Sequence, residues 1–348
     1  MDNLLGADTS DLEGLAEELG EPRYRGRQIA EWIYKRGAQS ISNMTNLPKE
    51  VRRKLEANSS LSRSKIRSRT ASPDGTTKFL LEFSDEECVE SVLIPYPDRV
   101  TVCVSTQVGC AIGCVFCATA ETGFTRNLTA GEIVDQVLTL QQEAGRRITN
   151  VVYMGMGEPL LNYDAVLRSI RLLTNEVGIS MRKITVSTVG ITPRIRQLQA
   201  ENLQISLAVS LHAPDDALRR ILIPLAEKYK LTDLIAACRD YAQNTGRRVT
   251  YEYMLIAGIN DRVEQARKLA SLLAGSLANV NLIPYNAVTG KGYKRPSPAV
   301  VHAFREVLES AGIETTQRFQ RGHTVAAACG QLRARPSEKL EYPGAGSG

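Results

Sequence analysis

The sequence predicts an α/β fold: a parallel sheet of about six β/α units curled into a partial (β/α)6 barrel, preceded by a small helical region and a short β linker. Three observations carry this. After residue 100, β-rich apolar runs alternate with stretches of helical period. Between residues 63 and 106 the β-rich runs crowd together, broken by turn residues. The first sixty residues are paced for short helices.

In chain order, apolar spacing predicts helices over Leu12–Leu19 and Arg23–Arg36, with Gly20 and Gly37 where helix stops belong. A third short helix follows Pro48, with Val51 and Leu55 inward. Ile29, Trp32 and Ile33 make the second helix amphipathic, and Trp32, the sole tryptophan, is assigned to the core rather than to base stacking. Ile66, Phe79-Leu80-Leu81, Val89, Val92 and Ile94 mark strands around the turn Pro73-Asp74-Gly75, leading into a strand over Val100–Ser105. Thr129 with Glu132 forms a capping box that opens a helix with Ile133, Val134, Val137 and Leu138 inward. Strands are expected near Val151–Met154, Ile184–Ser187, Ile205–Ser210, Val249–Ile256, Val280–Ile283 and Glu314–Phe319, with helices between them. The tail from residue 333, rich in Pro, Gly, Ser and charge, is expected to be disordered. The expected division is 1–60 helical, 61–95 linker, 96–332 barrel and 333–348 tail.

At 348 residues the chain can bury a large core beside a small one. No run of eighteen apolar residues is present, so no membrane partner is expected. The acidic start lacks the basic-then-apolar layout of a signal peptide. Seven cysteines, an odd number, point to a reducing cytoplasm rather than a disulfide framework. The net charge of +5 is unevenly spread: residues 1–20 carry six acids and no base, whereas residues 21–70 carry thirteen Lys and Arg against four Glu. Arg52-Arg53-Lys54 and the alternation Arg63, Lys65, Arg67, Arg69 would offer phosphates a basic face, against the blander reading of a solvated surface.

The chemistry centres on Cys110–Cys117, CAIGCVFC, whose thiols fall at intervals of four and three. A [4Fe–4S] cluster ordinarily takes four thiolates, so Cys110, Cys114 and Cys117 would leave one iron open to a small molecule. A structural zinc site would need a fourth Cys or His, and the next candidates in the chain are His212 and Cys238. The cluster is the favoured reading, zinc the second, a chance run of buried cysteines the third. Phe116 would shield the site from water. The run Gly155–Pro159, GMGEP, resembles half a dinucleotide fingerprint but lacks the third glycine, and Glu158 would oppose a pyrophosphate. An acid there suits the ammonium of a methionine moiety.

The three-cysteine motif is that of the radical S-adenosylmethionine (SAM) enzymes. With YMGMGEPLLN, SLHAP, NLIPYN and AACGQL following in order, the chain from about Glu21 to Leu332 resembles the RlmN/Cfr family of RNA adenosine methyltransferases. The resemblance implies a radical SAM barrel whose cluster, on Cys110, Cys114 and Cys117, is completed by SAM, with two SAM consumed per turnover. It implies SAM contacts from Gly157, Glu158, Ser187, Ser210, Leu211, His212 and Asn286. For a lone Ser at a strand end the bland alternative is backbone capping, and for His212 a satisfied structural imidazole.

Carbon 2 of adenine has no lone pair with which to attack a methyl group, and the family solves this with a thiol carrier. Cys329, in a stretch of small residues that reads as flexible, matches the carrier; Cys103 matches the resolving thiol and Glu90 the general base. Cys103 could otherwise be an inert strand cysteine, and Glu90 a solvated glutamate. Cys88 and Cys238 match no motif and are assigned to structure. Met154 matches a methionine that shapes the radical's path, and a core role suits it equally.

Pro159 and Pro284 stand where carbon-8 members of the family tend to carry Ala and Arg, which favours the carbon-2 type. His323-Thr324 replaces the acid usual before the carrier loop. The implied partners are 23S rRNA, tRNA and an electron donor of flavodoxin or ferredoxin type, with the enzyme acting as a monomer. The alternatives are a carbon-8 methyltransferase, a radical SAM enzyme acting on protein or small molecule, and an iron–sulfur RNA-binding sensor without catalysis.

Overall fold

The computed structural model describes residues 2–318 and 321–334, without the side chains of Asp2 and His323. Phe319 and most of the tail expected to be disordered therefore lie outside the described residues.

Ten strands form one sheet in strict chain order. The first four, β1 (Lys65–Ala71), β2 (Thr77–Glu82), β3 (Cys88–Pro95) and β4 (Val100–Cys103), pair antiparallel. From β4 onward every pairing is parallel, through β5 (Asn150–Tyr153), β6 (Ile184–Thr188), β7 (Ser206–Ser210), β8 (Val249–Leu255), β9 (Ala278–Pro284) and β10 (Glu314–Gln317). Parallel neighbours need a crossover, and helices supply one at each step. The barrel reading thus holds. The linker, however, is no separate sheet: β1–β3 continue the barrel sheet past β4.

The crossovers show why these segments are helical. Between β4 and β5, helix α4 (Ala130–Ala144) opens on the expected capping box: Thr129 Oγ1 accepts the Glu132 N–H, and the Glu132 carboxylate accepts the Thr129 N–H at 2.7 Å. Its Ile133, Val134, Val137 and Leu138 are buried. Between β7 and β8, α7 (Asp216–Leu222) is capped by Asp215, whose side chain accepts the Leu218 N–H.

The first sixty residues form α1 (Thr9–Glu18), α2 (Tyr24–Ala30) and α3 (Lys49–Asn58). The second helix loosens into a π turn over Glu31–Lys35. Gly20 and Gly37 stop the first two with φ of 73° and 65°. Val51 and Leu55 face inward as expected. Trp32 is only half-buried: it packs on the core while Arg36 covers its ring at 4.7 Å. These helices share one hydrophobic cluster with the barrel.

The basic face is smaller than the charge count suggests. Eight of the thirteen Lys and Arg between residues 21 and 70 have a carboxylate within 4 Å, Arg23 and Arg27 both on Glu13. Arg63, counted on that face, is buried: it pairs with Asp135 of α4, donates to Ala38 O at 3.1 Å and to Thr139 Oγ1 at 3.2 Å. It is a brace between the linker and the barrel.

Candidate active site

The expected site residues converge at the C-terminal ends of the parallel strands, where a barrel collects its loops. The cluster loop leaves the short strand Gln107–Gly109, which pairs with Phe124–Asn127. Gly109 has φ 76°, and an added Cβ would collide with the Gly123 backbone, so only glycine lets this hairpin close. Cys110 N–H then donates to Gly123 O at 2.6 Å and Cys117 N–H to Cys114 O at 3.1 Å. The three half-buried thiols line one cavity. Burial pushes the Cys110 thiol up to about 11 and Cys114 well above its usual value, with neighbouring thiol charges adding to both. A cluster must therefore displace protons on binding. The thiols sense one another, yet among the described residues no three Cys, His, Asp or Glu are gathered as ligands of a single metal ion. Phe116 is buried, edge-on to His212 at 5.0 Å.

Opposite the thiols, the Gly155–Pro159 loop is bolted to residues 104–107. A Cβ on Gly155 would strike Val104 O, and one on Gly157, whose φ is 96°, would strike Gln107. These glycines serve close backbone packing as much as any ligand. Ser105 Oγ accepts the Met156 N–H at 2.9 Å and donates to Glu90 O at 2.7 Å. Glu158 is buried; its carboxylate accepts the N–H groups of Leu160 at 3.0 Å and Val189 at 2.8 Å. Burial outweighs these bonds and raises it to about 7.

Ser187, Ser210 and His212 line the same cavity. His212 has φ 58° and its Nδ1 accepts the Met254 N–H at 3.0 Å, so the imidazole proton sits on Nε2. Burial, then Arg219, holds its pKa down to about 3, and the ring is neutral. Leu211 does not reach the cavity: the residue after strand β7 turns inward and is fully buried. Asn286 instead lines a neighbouring cavity, where its Nδ2 donates to Cys329 O at 3.3 Å.

Cys329 belongs to both cavities. The inner one holds the three thiols; the outer one holds Cys103, at the end of β4, together with Tyr96, Arg99 and Arg321. Burial, then the Cys329 charge, pushes the Cys103 thiol up to about 12. No disulfide joins them. Met154 and Arg318 also border both cavities.

The loop around Cys329 is fastened rather than slack. Asp74, in the β1–β2 turn, accepts the Gly322 N–H at 3.0 Å, and Thr324 Oγ1 bonds Ser72 Oγ at 2.8 Å. Ala118 N–H donates to Gly330 O at 2.8 Å, tying the carrier loop to the cluster loop. Glu90 lines neither cavity. Its buried carboxylate pairs with Lys78 at 2.8 Å and accepts the Arg333 N–H at 2.7 Å; burial raises its pKa against the pull of Lys78. Lys78 in turn reaches Ala326 O at 3.5 Å. Cys88 and Cys238 are buried away from the cavities, as expected.

Sequence reasoning missed Arg318, Glu252, Lys78 and the Tyr96 cluster. Arg318 directs Nη1 at Met154 Sδ at 3.6 Å, and its pKa is raised, first by Cys329, then by Glu252 and Cys103 against its burial. Tyr96 carries Arg99 at 4.0 Å and Arg321 at 4.3 Å over its ring. The only signal for these in the chain was their charge; what brings them together is sheet order.

Fold and site together define a radical SAM enzyme, and residues 104–270 match the Radical SAM superfamily. Residues 2–61 match the ribosomal RNA large subunit methyltransferase N-terminal domain. A probable dual-specificity RNA methyltransferase RlmN from Thermosynechococcus vestitus is 50% identical, covering 95% of this chain and 98% of its own. Its counterpart from Gloeobacter violaceus is also 50% identical, covering 95% of each chain. The crystal structure of a radical SAM methyltransferase from Sphaerobacter thermophilus superposes with a TM-score of 0.93 at 48% identity, over 96% of this chain and all of that one. The chain belongs to the RlmN family of radical SAM RNA methyltransferases, whose cofactors are a [4Fe–4S] cluster and SAM.

Proposed function

We propose that the protein methylates carbon 2 of adenosine in 23S rRNA and in tRNA beside the anticodon, in the cytoplasm, using Cys329 as methyl carrier and Cys103 as resolving thiol. The observation that carries this is the shared position of Cys329, between a cavity lined by the cluster thiols and one lined by Cys103. A sulfur there can collect a carbon on one side and deliver it on the other.

Cys110, Cys114 and Cys117 would hold the cluster, and Glu158, Ser187, Ser210 and His212 would seat SAM. When bound, these two supply a methyl group and, from a second SAM, a radical that removes hydrogen from it. Cys329 takes the methyl of one SAM as a thioether, S-adenosylhomocysteine leaving, and, once that methyl has lost a hydrogen atom, bonds through its carbon to the base; the bound cluster would supply the acceptor for the adduct's unpaired electron. Cys103 then attacks the Cys329 sulfur, the bond from sulfur to the transferred carbon breaks, that carbon keeps the electron pair and takes up a proton to become the methyl, and a disulfide remains for two-electron reduction. Glu90 takes the proton that leaves the base. The shut ion pair with Lys78 means that the carrier loop must shift to free it, and Lys78, holding both Glu90 and Ala326, couples the two. RNA would enter over the Arg99–Tyr96–Arg321 stack, since guanidinium planes and N–H groups suit unstacked bases and phosphates. The helical region 1–60 would grip the RNA backbone outside. A flavodoxin- or ferredoxin-type protein would deliver the electrons.

Anaerobic reconstitution with SAM, a reductant and an rRNA fragment is expected to yield 2-methyladenosine by nucleoside mass spectrometry, and Cys103→Ala to accumulate a covalent protein–RNA adduct. Formation of 8-methyladenosine alone would reject the carbon-2 assignment. Unchanged RNA methylation by Cys329→Ala would reject the carrier.

A further inference from the structure

Arg219 is a charged side chain where none should sit alone. It projects from α7 and is 1% exposed. One terminal nitrogen, Nη2, donates to Val189 O and lies 3.5 Å from Ser210 O, while Nε and Nη1 have no hydrogen-bond partner. Among the described residues no carboxylate lies within 4 Å of it. The acid whose charge reaches it, Asp216, has Oδ1 engaged by the Leu231 N–H at 2.8 Å. A buried guanidinium with most of its donors idle is costly unless an anion faces it.

The surroundings say which anion. Val189 and Ser210, whose carbonyls Arg219 touches, line the cavity of the cluster thiols. The next turn of the same helix accepts the cluster loop: Val115 N–H donates to Leu222 O at 3.2 Å. The Cys114 sulfur is among the groups whose charge acts on Arg219. An oxidised [4Fe–4S] core with three thiolates carries one net negative charge, and two after one-electron reduction. A fixed cation stabilises the more negative state, more strongly where water is excluded.

We propose that Arg219 is the counter-cation of the iron–sulfur cluster and raises its reduction potential toward the reach of a protein electron donor. The inference rests on the cluster binding to Cys110, Cys114 and Cys117. Arg219 acts through charge; it is not a catalytic residue.

The test is potentiometric titration of the reconstituted full-length protein, followed by electron paramagnetic resonance, with iron and sulfide counted and no SAM present. Arg219→Met is expected to keep its cluster but show a reduced-to-oxidised ratio about tenfold lower at the wild-type midpoint, a shift of about 59 mV for one electron. Arg219→Lys, which retains the charge, is expected to titrate near wild type. Arg219→Gln, neutral but still polar, is expected to follow Arg219→Met and gives the same reading should Met disturb cluster assembly. An unshifted midpoint in cluster-loaded Met and Gln variants would overturn the proposal. Wild-type protein that assembles no reducible cluster would overturn the site reading itself, before any variant is compared.

Discussion

Glu158 shows how one residue is made ready for a ligand. Its carboxylate accepts two backbone N–H groups and remains buried enough for its pKa to stand at about 7. The folded-state value lies above the unfolded one. This residue therefore contributes stability in acid that is lost as pH rises through about 7, unless a donor arrives to favour the carboxylate. The amino group of SAM is such a donor. The ratio of wild-type to Glu158→Gln affinity for SAM is expected to climb with pH, by up to about tenfold per unit below pH 7, and to level off above it; equilibrium binding across pH checks this. A flat ratio would detach Glu158 from SAM. The motif around Glu158 was legible in the chain because its residues are consecutive. The need for Gly155 and Gly157 to clear residues 104–107 was not, because that contact joins positions about fifty residues apart.

At the level of elements, the antiparallel strands β1–β3 set the carrier loop. Their turn supplies Asp74 and Ser72, and their faces supply Lys78 and Glu90. Arg63 and Asp135 brace the same region against α4, with side chains 4% and 0% exposed. Arg63→Ala leaves Asp135 buried and unpaired, and is expected to cost about 3–5 kcal/mol of stability. Thermal and denaturant unfolding measure it. A loss below about 1 kcal/mol would place the residue with ordinary surface pairs. The charge run containing Arg63 looked like an RNA-facing stripe because sequence shows the base and hides its partner, which lies 72 positions away.

Across the whole molecule, strict sheet order turns distance in sequence into two adjoining cavities. Cys103 ends β4 and Cys329 follows β10, at opposite edges of the parallel sheet, and only a closed-up barrel can bring both to the outer cavity. With eight of thirteen N-terminal bases paired to carboxylates, the Arg99–Tyr96–Arg321 cluster is expected to take much of the contact with RNA near the site. Arg321→Gln is expected to weaken RNA binding and to reduce the slope of log affinity against log salt by about one, while methyl loading of Cys329 in the absence of RNA stays unchanged. An unaltered salt slope would remove Arg321 from the RNA path.

By itself the sequence determined the alternation of strands and helices, the parallel barrel and the family, and marked the cysteines as candidates, because periodicity and motif spacing are local properties of a chain. Only the tertiary structure decided that Leu211 is buried, that Asn286 bonds the Cys329 carbonyl, that Glu90 is shut on Lys78, that Asp74 holds the Gly322 N–H and that Arg219 is buried with Nε and Nη1 unpartnered. Each of those depends on which distant group lies within a few ångströms, and on whether water is excluded there, and neither is written in the order of residues.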